Sequence, residues 1–316
     1  MSPLKPVIII GGPTASGKTK LALDISKRIP SSIINADSIQ VYRELNIISS
    51  RPTSKQMSLA PHHLFGVLSA HERCSAGRWL DMARIAITEA WANDHLPIIT
   101  GGTGLYLKVL IEGIVQIPDI PPRIVKNCEE HLKRIGGKNF KEELAKRDPH
   151  SAIRLFASDS QRLVRAASVL AATGRTMDSW QSEKNKQLIA NTRFYTILLF
   201  PPRQDLYLSI NHRVDRMIAQ GALDEARNFA ELGVDRKLPA AKAIGLVEFI
   251  QYIENKLDLT TATQLTKQKT RNLAKRQITW FKNSIDKNIL VSNHYSEHLV
   301  NSIVQRIQKF VLTDLS

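Results

Sequence analysis

The chain has 316 residues, 43% of them hydrophobic and 23% charged, a balance that suits a soluble globular protein long enough for two domains. Lysine and arginine number 44 against 29 acidic residues, a formal charge of +15 that points to a polyanionic partner, nucleic acid above all, rather than to small metabolites alone. No apolar run reaches the ~20 residues of a membrane span, there is no signal-peptide pattern, and Cys74 and Cys128 are too few and too far apart for a disulfide framework or zinc finger. The expectation is a cytoplasmic protein with no membrane partner.

In chain order, Val7 to Ile10 reads as a buried strand that runs into Gly12-Pro13-Thr14-Ala15-Ser16-Gly17-Lys18-Thr19, a phosphate-loop octet complete at every fixed position. Leu21, Ala22, Ile25 and Ile29 then keep a helical spacing, so the loop has a strand before it and a helix after it. Glycines let backbone N–H groups turn towards a phosphate, and the helix N-terminus adds partial positive charge. Lys18 is expected on a terminal phosphate, and the Thr19 hydroxyl is placed to hold Mg²⁺. The ligand is expected to carry a pyrophosphate, as ATP does.

A second strand, Ser32–Ala36, ends at Asp37-Ser38-Ile39-Gln40. Functional residues of open α/β sheets collect at the carboxyl ends of strands, so Asp37 is expected to face the phosphate loop, to accept a proton or hold metal. A cap for the turn that follows is its other reading. Residues 51–65 read as a polar loop, with His62 and His63 structural because adjacent side chains diverge. Residues 75–93 read as an amphipathic helix with Trp79, Met82, Ala83, Ala86 and Ala90 inward. The third strand, Leu96–Ile99, ends in Thr100-Gly101-Gly102-Thr103, where a hydrolytic NTPase usually carries an acidic residue. A Gly-Gly-Thr there lets a substrate approach the backbone, with Thr103 offering a hydroxyl.

Prolines 118, 121 and 122, and later Pro201-Pro202, punctuate a mostly helical, polar stretch. The expected architecture is therefore α/β: a phosphate-loop NTPase-like core with a parallel sheet over residues 1–117 and 194–316, and a helical insertion at 118–193. Inside the insertion, Gln161-Arg162-Leu163-Val164-Arg165 puts two arginines on one helical face, by itself most often a solvated one. After Pro202, Arg213 sits on a helix whose buried side carries Val214, Met217 and Ile218. The stretch Lys267–Lys282 holds six basic residues and no acidic one, with Leu273, Ile278, Trp280 and Phe281 as its apolar side. That pattern is a binder of nucleic-acid phosphates. Asn288–Val291 closes the sheet.

These motifs, in this order, resemble the tRNA dimethylallyltransferases over nearly the whole chain. The resemblance is carried by the octet, Asp37-Ser38-x-Gln40-Val41-Tyr42, Pro61-His62-His63-Leu64, Gly101-Gly102-Thr103-Gly104-Leu105-Tyr106, Gln161-Arg162-Leu163-Val164-Arg165 and Lys275-Arg276-Gln277-x-Thr279-Trp280-Phe281. It implies transfer of a dimethylallyl group from dimethylallyl diphosphate to the N6 amine of an adenosine 3′-adjacent to the anticodon, in tRNAs reading codons that begin with U. It also implies a catalytic pair, Asp37 and Thr103. The diphosphate falls to Gly12 through Thr19 with Arg213, and Mg²⁺ to Thr19. The anticodon stem-loop falls to Asp37, Ser38, Ile39, Gln40, Thr103, Arg123, Gln161, Arg162, Leu163, Val164, Arg165, Lys275 and Arg276. Ala243-Ile244-Gly245-Leu246 and Leu273 depart from the family pattern, each lacking a tyrosine. No Asp-Asp-x-x-Asp occurs, unlike chain-elongating prenyltransferases, and no C-terminal zinc finger follows, so the resemblance is to the bacterial type. A monomer gripping one stem-loop is the simplest assembly. The alternatives are a phosphate-loop kinase of a small molecule or nucleoside, which leaves the basic helix without a purpose, and a non-enzymatic RNA-binding protein.

Overall fold

Val7, Ile8, Ile9 and Ile10 are each 0% exposed. A run of β-branched residues covered on both faces is what a central strand of a parallel sheet requires. They lie in β1 (Lys5–Gly11). The computed structural model describes residues 4–182, 186–187, 189–292 and 296–313, with the backbone alone at 186–187. After β1 come α1 (Lys18–Ser26), β2 (Ser31–Asn35), α2 (Ser54–Met57), β3 (His62–His63), α3 (Ala76–Ala92), β4 (Leu96–Gly101) and α4 (Gly104–Glu112). The middle of the chain forms β5 (Ile114–Val115), α5 (Pro122–Ala145), α6 (Pro149–Arg154), α7 (Ser160–Thr173), α8 (Met177–Gln181) and β6 (Lys186–Gln187). The last part forms β7 (Thr192–Leu199), α9 (Arg203–Ala219), α10 (Ala222–Glu231), α11 (Leu246–Ile253), α12 (Leu259–Ser284), β8 (Ile289–Val291) and α13 (Glu297–Leu312).

The chain divides into two compact units, one of Met1–Ile111 with Ile189–Ser316, the other Glu112–Leu188. In the first, six strands lie in the order β3-β2-β4-β1-β7-β8, and every pairing is parallel. Ile8, Ile10, Ile33, Ile98 and Ile197 on one sheet face pack with Leu21 and Ile25 of α1 and with Val300, Ile303 and Ile307 of α13. On α3, Trp79 is buried and donates its indole N–H to the Asn35 carbonyl at 2.8 Å, which anchors that helix to the end of β2. Leu80 and Ile87 are buried with it, while Met82 is only partly covered. All strands point the same way, so the loops after β1, β2 and β4 open on one edge.

Residues 51–65, read from the sequence as loop, contain α2 and β3. Thr53 and Gln56 form a capping box that starts α2. The histidines become a strand because Ile33 and Ile34 pair with them, a tertiary cause with no hydrophobic alternation to announce it. No group of metal-binding type occurs among the described residues, and His62 Nδ1 instead lies 2.7 Å from the Ala60 carbonyl.

The second unit is helical apart from the antiparallel pair β5–β6. Its core is Phe140, Leu144, Leu163, Ala166 and Leu170. α5 is broken at Gly136, whose φ is 77°, and a Cβ on Gly137 would stand 2.0 Å from the Ala157 carbonyl oxygen. The unit and the proline-delimited segment 118–193 have different ends. The β5–β6 pair forms ahead of Pro118, and the chain is already back in the sheet at Thr192. No helix among the described residues is long and apolar enough to cross a membrane.

Candidate active site

Gly12 leaves β1 with φ 150°, and a Cβ there would lie 2.5 Å from the Leu199 carbonyl oxygen, so only glycine lets the loop pass the end of β7. Gly17 is left-handed, φ 91°, and turns the chain into α1 with no side-chain cap on the helix, which leaves first-turn N–H groups for an anion. Ala15, φ 62°, holds a conformation costly for a residue with a side chain, as loops at functional sites often do. Lys18 Nζ donates to the carbonyls of Gly12 (3.0 Å) and Pro13 (2.7 Å). Burial pushes its pKa down to about 8; the Asp37 carboxylate works against that shift and the Arg213 guanidinium adds to it. Ser16 Oγ and Arg213 Nε are buried with no hydrogen-bond partner. Buried polar atoms are rarely left so, and the oxygens of a phosphate group would satisfy both.

Arg213 reaches the loop from α9. Its Nη1 donates to Thr14 Oγ1 at 2.7 Å and its Nη2 to the Ser49 carbonyl at 3.2 Å. Burial lowers its pKa, and the negative Asp37 is the main influence that opposes this. Ser49 is held in turn. Gln40 Nε2 donates to the carbonyls of Ser49 (3.0 Å) and Ser50 (3.2 Å). Glu225 of α10 accepts the backbone N–H groups of Asn46, Ile47 and Ile48 at 2.9, 2.8 and 2.8 Å.

Asp37 and Thr103 come together at the ends of β2 and β4. A Cβ on Gly101 would fall 2.1 Å from the Ala36 carbonyl oxygen, so the contact between these strand ends demands glycine. Thr103 N–H donates to that carbonyl at 3.2 Å, and Thr103 Oγ1 accepts the Ser38 N–H at 2.9 Å. Asp37 Oδ1 caps the turn by accepting from Ile39 N–H (2.9 Å) and Gln40 N–H (3.4 Å), which leaves Oδ2 for another task. Asn35 steadies the carboxylate's backbone from both sides, with Asp37 N–H donating to its Oδ1 at 2.8 Å and its Nδ2 donating to the Asp37 carbonyl at 3.0 Å.

α12 packs on the same edge. Gln277 Oε1 accepts the Thr14 N–H at 2.8 Å while its Nε2 donates to the Gly102 carbonyl at 2.8 Å. The uninterrupted basic stretch is not uniformly free. Lys267 pairs with Asp215 at 2.6 Å, Lys269 with the buried Glu248, and Arg271 donates to Asn211 Oδ1 at 2.8 Å. Acidic residues absent from α12 are supplied by α9 and α11. Lys275 and Arg276 remain exposed with no such partner among the described residues.

Several sequence-expected contacts are corrected by packing. Leu163 is 0% and Val164 8% exposed, since α7 turns them into the core of the helical unit; Gln161, Arg162 and Arg165 face outward. The Gln40 amide nitrogen is committed to Ser49 and Ser50, so its side chain builds the loop rather than reaching for RNA. Arg123 is exposed on the first turn of α5, and Ser38 and Ile39 are half-buried. The supports that sequence reasoning did not assign are Asn35, Ser49, Glu225 and Gln277. Only Gln277 left a mark in the sequence, a polar residue on the inward face of α12, four before Phe281.

A divalent cation has one ready oxygen here, the half-buried hydroxyl of Thr19, for which the structure gives no protein partner. Magnesium commonly takes one or two protein oxygens and fills its shell with water and substrate phosphates, so this donor set fits such an ion.

This arrangement recurs in known proteins. Family models described as IPP transferase and isopentenyl transferase match residues 40–284 and 5–61. A tRNA dimethylallyltransferase of Paramagnetospirillum magneticum is 42% identical over 308 residues, 98% of each chain. One from Rhodospirillum centenum is 41% identical, over 90% of this chain and 91% of its own. The crystal structure of a tRNA isopentenylpyrophosphate transferase from Bacillus halodurans superposes with a TM-score of 0.70 at 30% identity, covering 97% of this chain and 96% of the other. A eukaryotic dimethylallyltransferase acting on tRNA shares the fold with a TM-score of 0.81 at 24% identity, covering 97% of this chain and 79% of its own. A phosphate loop braced by Arg213 and an Asp37–Thr103 strand-end pair are thus features of a chain that belongs to the tRNA dimethylallyltransferase family.

Proposed function

We propose that this enzyme transfers a dimethylallyl group from dimethylallyl diphosphate to the N6 amine of the adenosine 3′-adjacent to the anticodon, in tRNAs reading codons that begin with U. The observation that carries the reading is the pairing of an anion cradle with a strand end that holds no acid. Lys18, Arg213 and the orphaned Ser16 hydroxyl suit a diphosphate, while β4 ends in Thr100-Gly101-Gly102-Thr103. A loop that releases diphosphate to an amine has no need of a residue to activate water.

As the allylic C–O bond breaks, negative charge grows on the departing diphosphate, and Lys18, Arg213 and the loop N–H groups stabilise it. Mg²⁺ held by Thr19 would share that charge. The N6 nitrogen forms the new bond to carbon and loses a proton, which Asp37 Oδ2 accepts. Thr103, fixed to Ser38, contacts the target nucleotide. The base must leave the anticodon stack to be reached, which calls for a basic collar around the stem-loop. Lys275 and Arg276 supply it on α12, and Arg123, Gln161, Arg162 and Arg165 on the helical unit. The enzyme acts as a monomer in the cytoplasm.

Purified protein, Mg²⁺ and unmodified tRNA would be mixed with carbon-labelled dimethylallyl diphosphate or with γ-labelled ATP. Carbon label should enter the tRNA, and should stop entering when the target adenosine is replaced by guanosine. Phosphoryl label in place of carbon label would make this a kinase.

A further inference from the structure

Gln277 hydrogen-bonds to both the phosphate loop and the β4–α4 turn, and it stands next to the exposed pair Lys275 and Arg276. Its two bonds, from the Thr14 N–H and to the Gly102 carbonyl, are each 2.8 Å and use opposite ends of one amide. The fit has no slack. A Cβ on Gly102 would lie 2.4 Å from Gln277 Nε2, and a Cβ on Gly104 would lie 2.0 Å from the Trp280 ring. Arg276 and Gln277 border the same cavity of about 200 Å³ beside that turn, together with Gly102, Gly104 and Trp280. Close-packed groups of this kind pass a displacement on rather than absorb it. Thr14 is held by two helices at once, its N–H by Gln277 and its hydroxyl by Arg213.

We propose that Gln277 is a positioning residue that couples the RNA-gripping surface of α12 to the diphosphate loop, so that seating RNA phosphates on Lys275 and Arg276 tightens the hold on diphosphate. The proposal rests on the functional reading above. α12 is a continuous helix of 26 residues, and consecutive side chains on it point about 100° apart. Fixing Arg276 from outside therefore fixes the bearing of Gln277 inside. Gln277 orients the peptide of Thr14, and with it the neighbouring N–H groups that face the anion. Coupling of this sort is reciprocal, so diphosphate must tighten tRNA by the same factor.

The test uses inorganic pyrophosphate as probe, with its affinity for the full chain measured by calorimetry with and without unmodified tRNA. In the wild type, tRNA should tighten pyrophosphate by about fivefold or more. Gln277→Met keeps the length of the side chain and removes both bonds. It should bring the coupling factor to within twofold of one and raise KM for dimethylallyl diphosphate more than it lowers kcat. Its tRNA affinity and salt slope should stay at the wild-type values, since Lys275 and Arg276 are untouched. A merely structural role would weaken both ligands together and leave their coupling in place. An unchanged coupling factor in the variant, or a wild-type factor of one, would overturn the proposal. Absence of pyrophosphate binding by the wild type would overturn the diphosphate reading as well, which separates the two failures. Should the variant not fold, hydrogen exchange of the wild-type segment 12–19 decides: tRNA should slow it, and no slowing would overturn the coupling.

Discussion

Arg213 Nη1 donates to Thr14 Oγ1 at 2.7 Å although the two residues lie 199 positions apart in the chain. The guanidinium is braced by two protein acceptors while its Nε stays buried and unpaired. That is a forked donor set aside for a ligand. Arg213→Lys should not restore what Arg213→Ala loses, because a lysine is a point charge without the planar fork. Both variants should raise KM for dimethylallyl diphosphate by about 10- to 100-fold, the 1.5–3 kcal/mol of a hydrogen bond to a charged group. Steady-state kinetics at saturating tRNA checks this, and full rescue by lysine would remove the fork from the account.

Asp37 has two duties that one substitution separates. Asp37→Asn can still accept the Ile39 N–H through its carbonyl oxygen, so the turn should survive, while the proton acceptor is lost. Turnover should fall about 10²- to 10⁴-fold, the range of a general base, with tRNA affinity near the wild-type value. Single-turnover label transfer and filter binding on the same sample give both numbers, and a rate close to wild type would return Asp37 to a capping role alone.

Burial holds Lys18 at about 8, so its charge is lost as pH rises through that value. Pyrophosphate stabilises the ammonium, and binding between about pH 8 and 9 should therefore take up protons. Calorimetry in buffers of different ionisation enthalpy should show that uptake in the wild type and not in Lys18→Ala. For stability the sign runs the other way. A lysine lowered in the folded state binds fewer protons there than in the unfolded chain, so its contribution improves with pH from about 8 to the ordinary value of 10.5.

The basic residues of α12 should fall into two groups. Lys275→Ala with Arg276→Ala should weaken tRNA binding and reduce its logarithmic salt slope by about 0.9 for each phosphate that is no longer neutralised. Lys267→Ala should leave the slope unchanged, because that lysine is already paired with Asp215 at 2.6 Å. Salt titrations of tRNA affinity distinguish the two, and equal slopes for all variants would move the RNA surface elsewhere.

Gly101→Ala should be disproportionately harmful for one methyl group. Its Cβ would meet the Ala36 carbonyl 2.1 Å away and force β2 and β4 apart where Ser38 and Thr103 join. Overpacking typically costs about 1–3 kcal/mol. Denaturant unfolding should register that loss, and kcat should fall further than stability does.

What could be read from the sequence was whatever is written locally. The run Val7–Ile10, the octet after it and the Gly-Gly-Thr after Ile99 announce their own conformations, so the sheet and the anion loop were legible. The partners were not. Nothing near Glu225 says that its carboxylate receives three N–H groups from residues 46–48, and nothing near Lys267 says that Asp215 neutralises it. β3 was missed because pairing, not pattern, makes two histidines a strand. Leu163 and Val164 were grouped with their arginine neighbours because a motif is linear, whereas a helix sends adjacent residues to different faces.

The position of β7 in the sheet bears on how the protein is made. Ile8 pairs with Tyr195, and Thr14 waits for Gln277, 263 residues further on. A chain emerging from the ribosome carries the whole octet early, but β1 has no neighbour on that side until the helical unit has been synthesised. That unit has its own core around Phe140 and Leu163 and can condense while the sheet is still open. The sheet pairing is thus of high sequence separation, the kind that closes slowly. Diphosphate affinity is expected to arrive last, when α12 has been released and has docked, so an unfinished chain holds a recognisable nucleotide-binding motif that cannot yet work.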